Sequence, residues 1–109
     1  MIYNKYDIVR VPLPFINKQS LKKRPASIIS NSEFQSKYNQ CILAMITSAK
    51  QSNWEDDVII TNNCETGLTV SSKIRLKIFT LESNLIINRL GYLNNQDKKS
   101  ISIRIQKYL

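Results

Sequence analysis

The side chains able to do chemistry in this sequence are few, and the most informative one is missing: its 109 residues include no histidine. That absence removes Ser-His-Asp and Cys-His catalysis, histidine-ligated zinc and the paired-histidine acid–base chemistry of many nucleases. Catalysis must then come from Arg, Lys, Thr, Ser, Tyr or a carboxylate. Lys22-Lys23-Arg24-Pro25 stands out, at a junction between a polar loop and an apolar strand. Proline fixes its own φ and drives the preceding residue toward extended backbone, so Arg24 is held on a stiff segment. Its guanidinium offers planar, paired donors and stays charged at any working pH. Such a group suits a phosphate, above all one gaining charge in a transition state. The plain alternative is a strand-entry arginine in an ordinary surface ion pair.

A second candidate is Ile46-Thr47-Ser48, at the end of the most hydrophobic run. Hydroxyls there can bond to phosphate oxygens or order a substrate; equally, Thr47 can simply close the strand with a side-chain hydrogen bond. Lys73 and Arg75 repeat on one face of an alternating segment and give a cationic stripe, which in most proteins is a solvated face. Trp54, Tyr38 and Tyr92 lie in polar surroundings and could stack on bases, or pack at core margins. Asp56-Asp57, with no further clustered acid, reads as a strand start rather than a magnesium site. Cys41 reads as a small buried hydrophobe and Cys64 lies in a polar stretch; their spacing is not that of metal ligands.

The elements that must position these residues follow from the bulk composition and the periodicity. One domain spanning 1–109 fits the length. Sixteen Lys+Arg against eight Asp+Glu give a formal charge of +8, which favours a polyanionic partner because each neutralised phosphate releases counterions. A basic surface serving solubility, and an acidic protein partner, are the competing readings. No apolar run reaches the roughly 18 residues that cross a membrane, and the N-terminus lacks the apolar stretch of a signal peptide, so the cytoplasm is expected.

Residues 7–15 alternate, with Val9, Val11, Leu13 and Phe15 on one face and Arg10 on the other. Pro12 and Pro14 imply that this strand ends early or lies at an edge. A polar loop over 17–23 carries Lys18, Lys22 and Lys23. Strands are expected from Arg24-Pro25 through Ser30, over 40–47, over 57–61 and over 73–79, the last with Ile74, Leu76 and Ile78 inward and Lys73, Arg75 and Lys77 outward. Ser32 with Gln35 hints at a short helical turn. Gly67 marks a turn. Residues 85–93 fit helix or strand. Asn94 ahead of Asp97 looks like a helix start, so a C-terminal helix is expected. The sum is a small, mainly β, barrel-like domain with short helices.

The ordered series Tyr6-Asp7-Ile8-Val9, Pro12-Leu13-Pro14-Phe15, Lys23-Arg24-Pro25-Ala26, Ile46-Thr47-Ser48, Gly67-Leu68, Ser72-Lys73-Ile74-Arg75 and Arg89-Leu90-Gly91-Tyr92-Leu93 resembles the MazF/PemK toxins of type II toxin–antitoxin systems across nearly the whole chain. The resemblance implies an SH3-like barrel with added helices and a C-terminal helix, assembled as a homodimer. It implies a sequence-specific endoribonuclease that cuts single-stranded RNA through the 2′-hydroxyl, needs no metal or cofactor, blocks translation, and is neutralised by a cognate acidic antitoxin. Contact with DNA would come only through that antitoxin, and no membrane is involved. The functional arginine and threonine of the family match Arg24 and Thr47; Lys18, Lys22, Lys23, Ser48, Lys73 and Arg75 are the expected RNA contacts. The family's glycine before Asp7 is Tyr6 here, and its gating loop matches residues 17–23. Two other readings remain open: a non-catalytic relative that inhibits a protein target, as the similarly folded CcdB gyrase inhibitors do through a C-terminal tryptophan, and an SH3-like module that holds RNA or peptide without cutting. This chain ends Lys107-Tyr108-Leu109, without that tryptophan.

Overall fold

A computed structural model describes residues 1–13, 22–61 and 64–109. Within them, β1 (Asp7–Leu13), β2 (Lys22–Ile28), β3 (Gln40–Ser48), β4 (Val58–Ile59), β5 (Ser72–Glu82) and β6 (Asn88–Tyr92) form one sheet. The spatial order is β4-β5-β3-β2-β1-β6, and each neighbouring pair is antiparallel. Helix α1 (Ser32–Tyr38) joins β2 to β3, a 3-10 turn over Ser83–Leu85 precedes β6, and helix α2 (Asn95–Tyr108) ends the chain. This is the mainly β architecture expected, a curled sheet with short helices and a C-terminal helix. The ambiguous 85–93 segment resolves as the 3-10 turn followed by a strand.

Alternation sends successive side chains to opposite faces, and both faces are packed. One carries Val9, Val11, Ala26, Ile28, Cys41 and Leu43 with Tyr3 and Ile86. The other carries Ile8, Ala44, Ile46 and Ile74, against which α2 lays Ile101 and Ile105. Asn94 starts α2 by accepting from the Asp97 N–H at 2.8 Å, and Asp97 in turn accepts from the Thr61 N–H at 2.8 Å. The Asn94 side chain thus caps the helix, while the Asp97 side chain ties its first turn to the chain beyond β4. At α1 the cap is Asn31, which accepts from the Phe34 N–H, one residue ahead of the expected Ser32.

Two prolines set where the ladders stop. β1 is an interior strand rather than an edge, but β6 covers it only from Asp7 to Arg10, so Pro12 lies beyond the last rung on that side. Pairing of β2 with β3 is confined to Ala26↔Met45, Ser27↔Ala44 and Ile28↔Leu43. The Ile29 N–H donates to the Ile42 carbonyl at 2.8 Å. Stepping back two residues at a time along this register makes Pro25, opposite Ile46, the next position that must donate to β3. Proline has no N–H. The ladder between the two strands therefore ends there, with Lys22–Pro25 held by β1 and Ile46–Ser48 held by β5.

Tyr6 occupies the position where the resemblance expects glycine, and it keeps a glycine-like backbone with φ +74°. That conformation is unfavourable for a bulky residue. It is held because the Tyr6 N–H donates to the Ile28 carbonyl at 2.6 Å and its carbonyl accepts from the Leu93 N–H at 3.1 Å.

Candidate active site

Arg24 and Thr47 fall on one face of the sheet. Arg24 lies two residues from Ala26 on β2 and Thr47 two from Met45 on β3, the last positions at which these strands pair. Alternation puts both on the face that carries Ala26 and Met45, where that ladder ends. Arg24 and Thr47 are each half-buried. The Arg24 Nε is shielded from solvent and has no hydrogen-bond partner among the described residues. Buried polar groups are nearly always paired, so an orphan guanidinium N–H calls for an explanation. An ordinary surface ion pair, the plain reading of Arg24, is not what surrounds it: the ion pairs among the described residues involve Lys73, Arg75 and Arg89 instead.

Lys73 and Arg75 correct the sequence reading. They do lie on the face opposite Ile74, as the alternation requires, but that face is covered. Lys73, across from Thr47, has a fully buried side chain. Its ammonium donates to the Gln51 carbonyl at 2.8 Å, the Ser52 carbonyl at 3.3 Å and Asn53 Oδ1 at 2.6 Å, and lies 3.4 Å from Asp57. Arg75 donates to both Asp57 oxygens, at 3.1 and 2.8 Å, and to the Ser52 carbonyl. The Trp54 ring stacks 4.9 Å from its guanidinium. The outward cationic stripe is thus an internal clamp that draws the β3–β4 connection down beside Thr47. The Lys73 ammonium and the Nε and Nη2 donors of Arg75 are engaged within the chain rather than free toward solvent.

Asp57 is the residue that sequence reasoning missed as a site element. Burial alone would push its carboxyl up. Hydrogen bonds from Arg75, the Trp54 N–H and Lys73, together with the Arg75 charge, outweigh burial and hold it below the ordinary carboxylate range. The same hydrogen bond raises the Arg75 guanidinium further. The signal in the sequence was the acidic run Glu55-Asp56-Asp57 in a chain of sixteen cations and eight acids, one member of which could have been matched to the buried pair.

The remaining candidates divide. Lys22 is exposed, and alternation places it on the face of Arg24. Lys23 and Ser48 belong to the opposite face. Lys23 lines a cleft there with Arg10 and Pro25, and Ser48 Oγ accepts from the Lys50 N–H at 3.2 Å, a turn contact. Lys18 and residues 17–21 of the expected gating loop lie outside the described residues. Tyr38 packs tilted on Phe34 and Tyr92 donates to Glu65 at 2.9 Å. Neither adjoins Arg24. Among the described residues no group of three or more His, Cys, Asp or Glu is disposed to hold a metal ion, and no helix is long and apolar enough to cross a membrane.

Solved structures with the same fold have low sequence identity to this chain. An endoribonuclease in complex with its cognate antitoxin from a Mycobacterial species superposes with a TM-score of 0.77 at 13% identity, covering 96% of this chain and 92% of that one. MazF from Deinococcus radiodurans gives 0.77 at 13% identity, covering 98% and 96%. Mycobacterium tuberculosis toxin MazF-mt6 gives 0.72 at 17% identity, covering 93% of each. None of the curated proteins matches the sequence. The family model described as PemK-like, MazF-like toxin of type II toxin-antitoxin system matches residues 4–109. With nearly the whole length matched and the same sheet beneath it, the chain belongs to the PemK/MazF family of type II toxin–antitoxin toxins.

Proposed function

We propose that this toxin is an endoribonuclease that cuts single-stranded RNA by attack of the ribose 2′-hydroxyl on the adjacent phosphorus, with Arg24 and Thr47 as the catalytic pair. The observation that carries the reading is the buried, unpartnered Nε of Arg24 on the same sheet face as Thr47. RNA brings its own nucleophile, which suits a chain without histidine. The P–O2′ bond forms as the P–O5′ bond breaks, leaving a 2′,3′-cyclic phosphate and a 5′-hydroxyl. The protein's tasks are to align the attacking oxygen and to stabilise the charge that grows on the phosphoryl oxygens. Arg24 supplies donors to that charge, Thr47 fixes the phosphate, and the clamped β3–β4 connection walls the site. Lys22 adds long-range attraction.

The same reading includes a homodimer working in the cytoplasm as a single toxin domain, and an acidic antitoxin that neutralises the toxin. Support for the antitoxin is the excess of sixteen basic over eight acidic residues and the complexes formed by similarly folded toxins. The test is incubation of the purified protein with a long single-stranded RNA in the presence of a chelator. Discrete cuts ending in 2′,3′-cyclic phosphate, lost in Arg24→Ala, are expected. Intact RNA from the wild type, or cuts that need added magnesium, would overturn the proposal and favour a non-catalytic inhibitor or binding module.

A further inference from the structure

β3 pairs with β5 from Ser72 to Glu82, but on the other side of β5 the short β4 reaches only Lys73 and Ile74. Beyond Ile74 that side has no strand beside it among the described residues. The Ile42 carbonyl accepts from the Ile29 and Ser30 N–H groups, so Ile42 turns its backbone toward β2. Cys41 and Leu43 then turn theirs toward Leu81 and Phe79 of β5. By the same alternation Ile78, Thr80 and Glu82 direct their N–H and C=O groups to the open side. Natural sheets blunt such an edge with charge, proline or a bulge, because it is a template for a further strand. Ile78-Phe79-Thr80-Leu81 carries none of these.

Beside the edge lies an apolar groove of about 420 Å³, lined by Trp54, Leu76 and Ile78 and by Ile105 and Tyr108 of α2. Trp54 and Tyr108 are 44% and 51% exposed. The charges around the groove cancel. Glu55, Asp56 and Glu82 stand against Arg104, against Lys77 over the Trp54 ring, and against Lys107 over the Tyr108 ring. In a chain of net +8 that balance selects the occupant. A polyanion gains nothing there, and an acidic peptide meets three acids already in place. A second copy, repelled by the rest of the surface, can approach a face whose own charge sums to zero.

Resting on the homodimer reading, we propose that this face is where two copies of the chain meet, β5 against β5 about a two-fold axis. A strand edge is self-complementary when antiparallel, since each copy offers the same alternation of donors and acceptors. The contact also reaches the neighbourhood of Thr47. Trp54 and Asp56 belong to the connection clamped by Lys73 and Arg75, and Lys73 sits across from Thr47. The Trp54 ring lies 4.9 Å from the Arg75 guanidinium, and the Tyr108 hydroxyl donates to Asp56 at 2.6 Å. The partner copy braces that connection from its far side.

The test is sedimentation velocity of the full chain from about 1 to about 100 µM, with hydrogen exchange followed at both ends of that range. The wild type is expected to dimerise and to gain protection at Ile78, Thr80 and Glu82 with concentration, whereas Phe79 and Leu81 stay protected throughout. The emission of Trp54, the single tryptophan, should shift over the same range. Thr80→Pro removes an outward N–H while sparing the bonds to β3, and Ile78→Lys sets like charges on both sides of the axis. Each should raise the dimer dissociation constant roughly a hundredfold, since the axis applies every change twice, and Val70→Asp, at an exposed position elsewhere, less than about threefold. Protection kept at Phe79 and Leu81 shows that a variant is folded. A dimer that resists both substitutions, or that protects other amides only, would leave the homodimer reading in place and overturn this surface. A wild-type monomer throughout would overturn both. Equal weakening by Val70→Asp would overturn the surface too. So would protection of the β5 edge in a monomer only when poly-glutamate is added, which would assign the edge to an acidic peptide. RNA is absent from every arm, so failure of the ribonuclease reading leaves the result standing.

Discussion

Arg24 has to do two things at once, and the residue-scale tests separate them. Its charge attracts the phosphate, whereas its planar paired donors match the oxygens that gain charge. Arg24→Ala should lower the single-turnover cleavage rate by roughly two to three orders of magnitude, the usual effect of losing one aimed donor. Arg24→Lys, which keeps the charge, should recover substrate affinity but little of the rate. A lysine variant with full rate would show that charge alone matters. Asp57 makes a different prediction because its work is structural. An unfolded aspartate titrates near about 3.9, and the folded carboxyl is held below that. Between the two values the unfolded chain binds more protons, so the contribution to stability is complete above about pH 4 and is lost as pH falls through the folded value. Asp57→Asn should flatten that acid limb. It should also cost roughly 3–5 kcal/mol at neutral pH, since Lys73 is left buried without its counter-ion, and equilibrium unfolding across pH measures both.

At the scale of elements the pivotal feature is the ladder that stops at Pro25. Pro25→Ala restores a donor opposite Ile46 and lets β2 and β3 pair by one more rung. The added hydrogen bond, worth about 1 kcal/mol net, is offset by the freedom returned to the unfolded chain, about 0.4–1 kcal/mol. The thermal midpoint should therefore move by no more than a few degrees, while the amide at position 25 becomes protected from exchange and the added rung beside Arg24 lowers kcat/KM about tenfold. Unchanged cleavage in a variant with that protected amide would show that the early end of the ladder is incidental.

Much of this element layout was legible in the chain. The apolar run over 40–47 became β3, Asn94 started the C-terminal helix, and Arg24-Pro25 and Thr47 marked positions that the sheet brings to one face. What could not be read was which outward residues face water. Period-two counting assigns Lys73 and Arg75 their side of β5 but not what covers it, and the cover comes from a connection whose hold depends on Asp57, eighteen residues before Arg75. Nor does periodicity show a break in register such as the one between Ala44 and Met45, or that Tyr6 would take a left-handed backbone.

For the whole molecule the governing quantity is charge and where it is free to act. The net +8 overstates what an RNA meets, because Lys73 and Arg75 are spent on Asp57 and Arg89 pairs with Asp7 at 3.2 Å. Among the described residues the cations left beside the end of the β2–β3 ladder are Arg24 and Lys22 on one face and Arg10 and Lys23 on the other. Three or four phosphate contacts at roughly 0.7 each give a log–log salt slope of about −2 to −3 for a single strand, or roughly a twenty- to fiftyfold fall in kcat/KM between about 50 and about 200 mM monovalent salt. The saturated rate kcat should hardly change, since the shielded Arg24 acts inside the bound complex, where salt screens poorly. A slope near −6 would mean that the buried clamp opens to contact RNA after all, or that a second copy of the chain adds its own cations to the same strand. Repeating the titration with Lys73→Met separates these, because only an opened clamp would lose slope with that substitution.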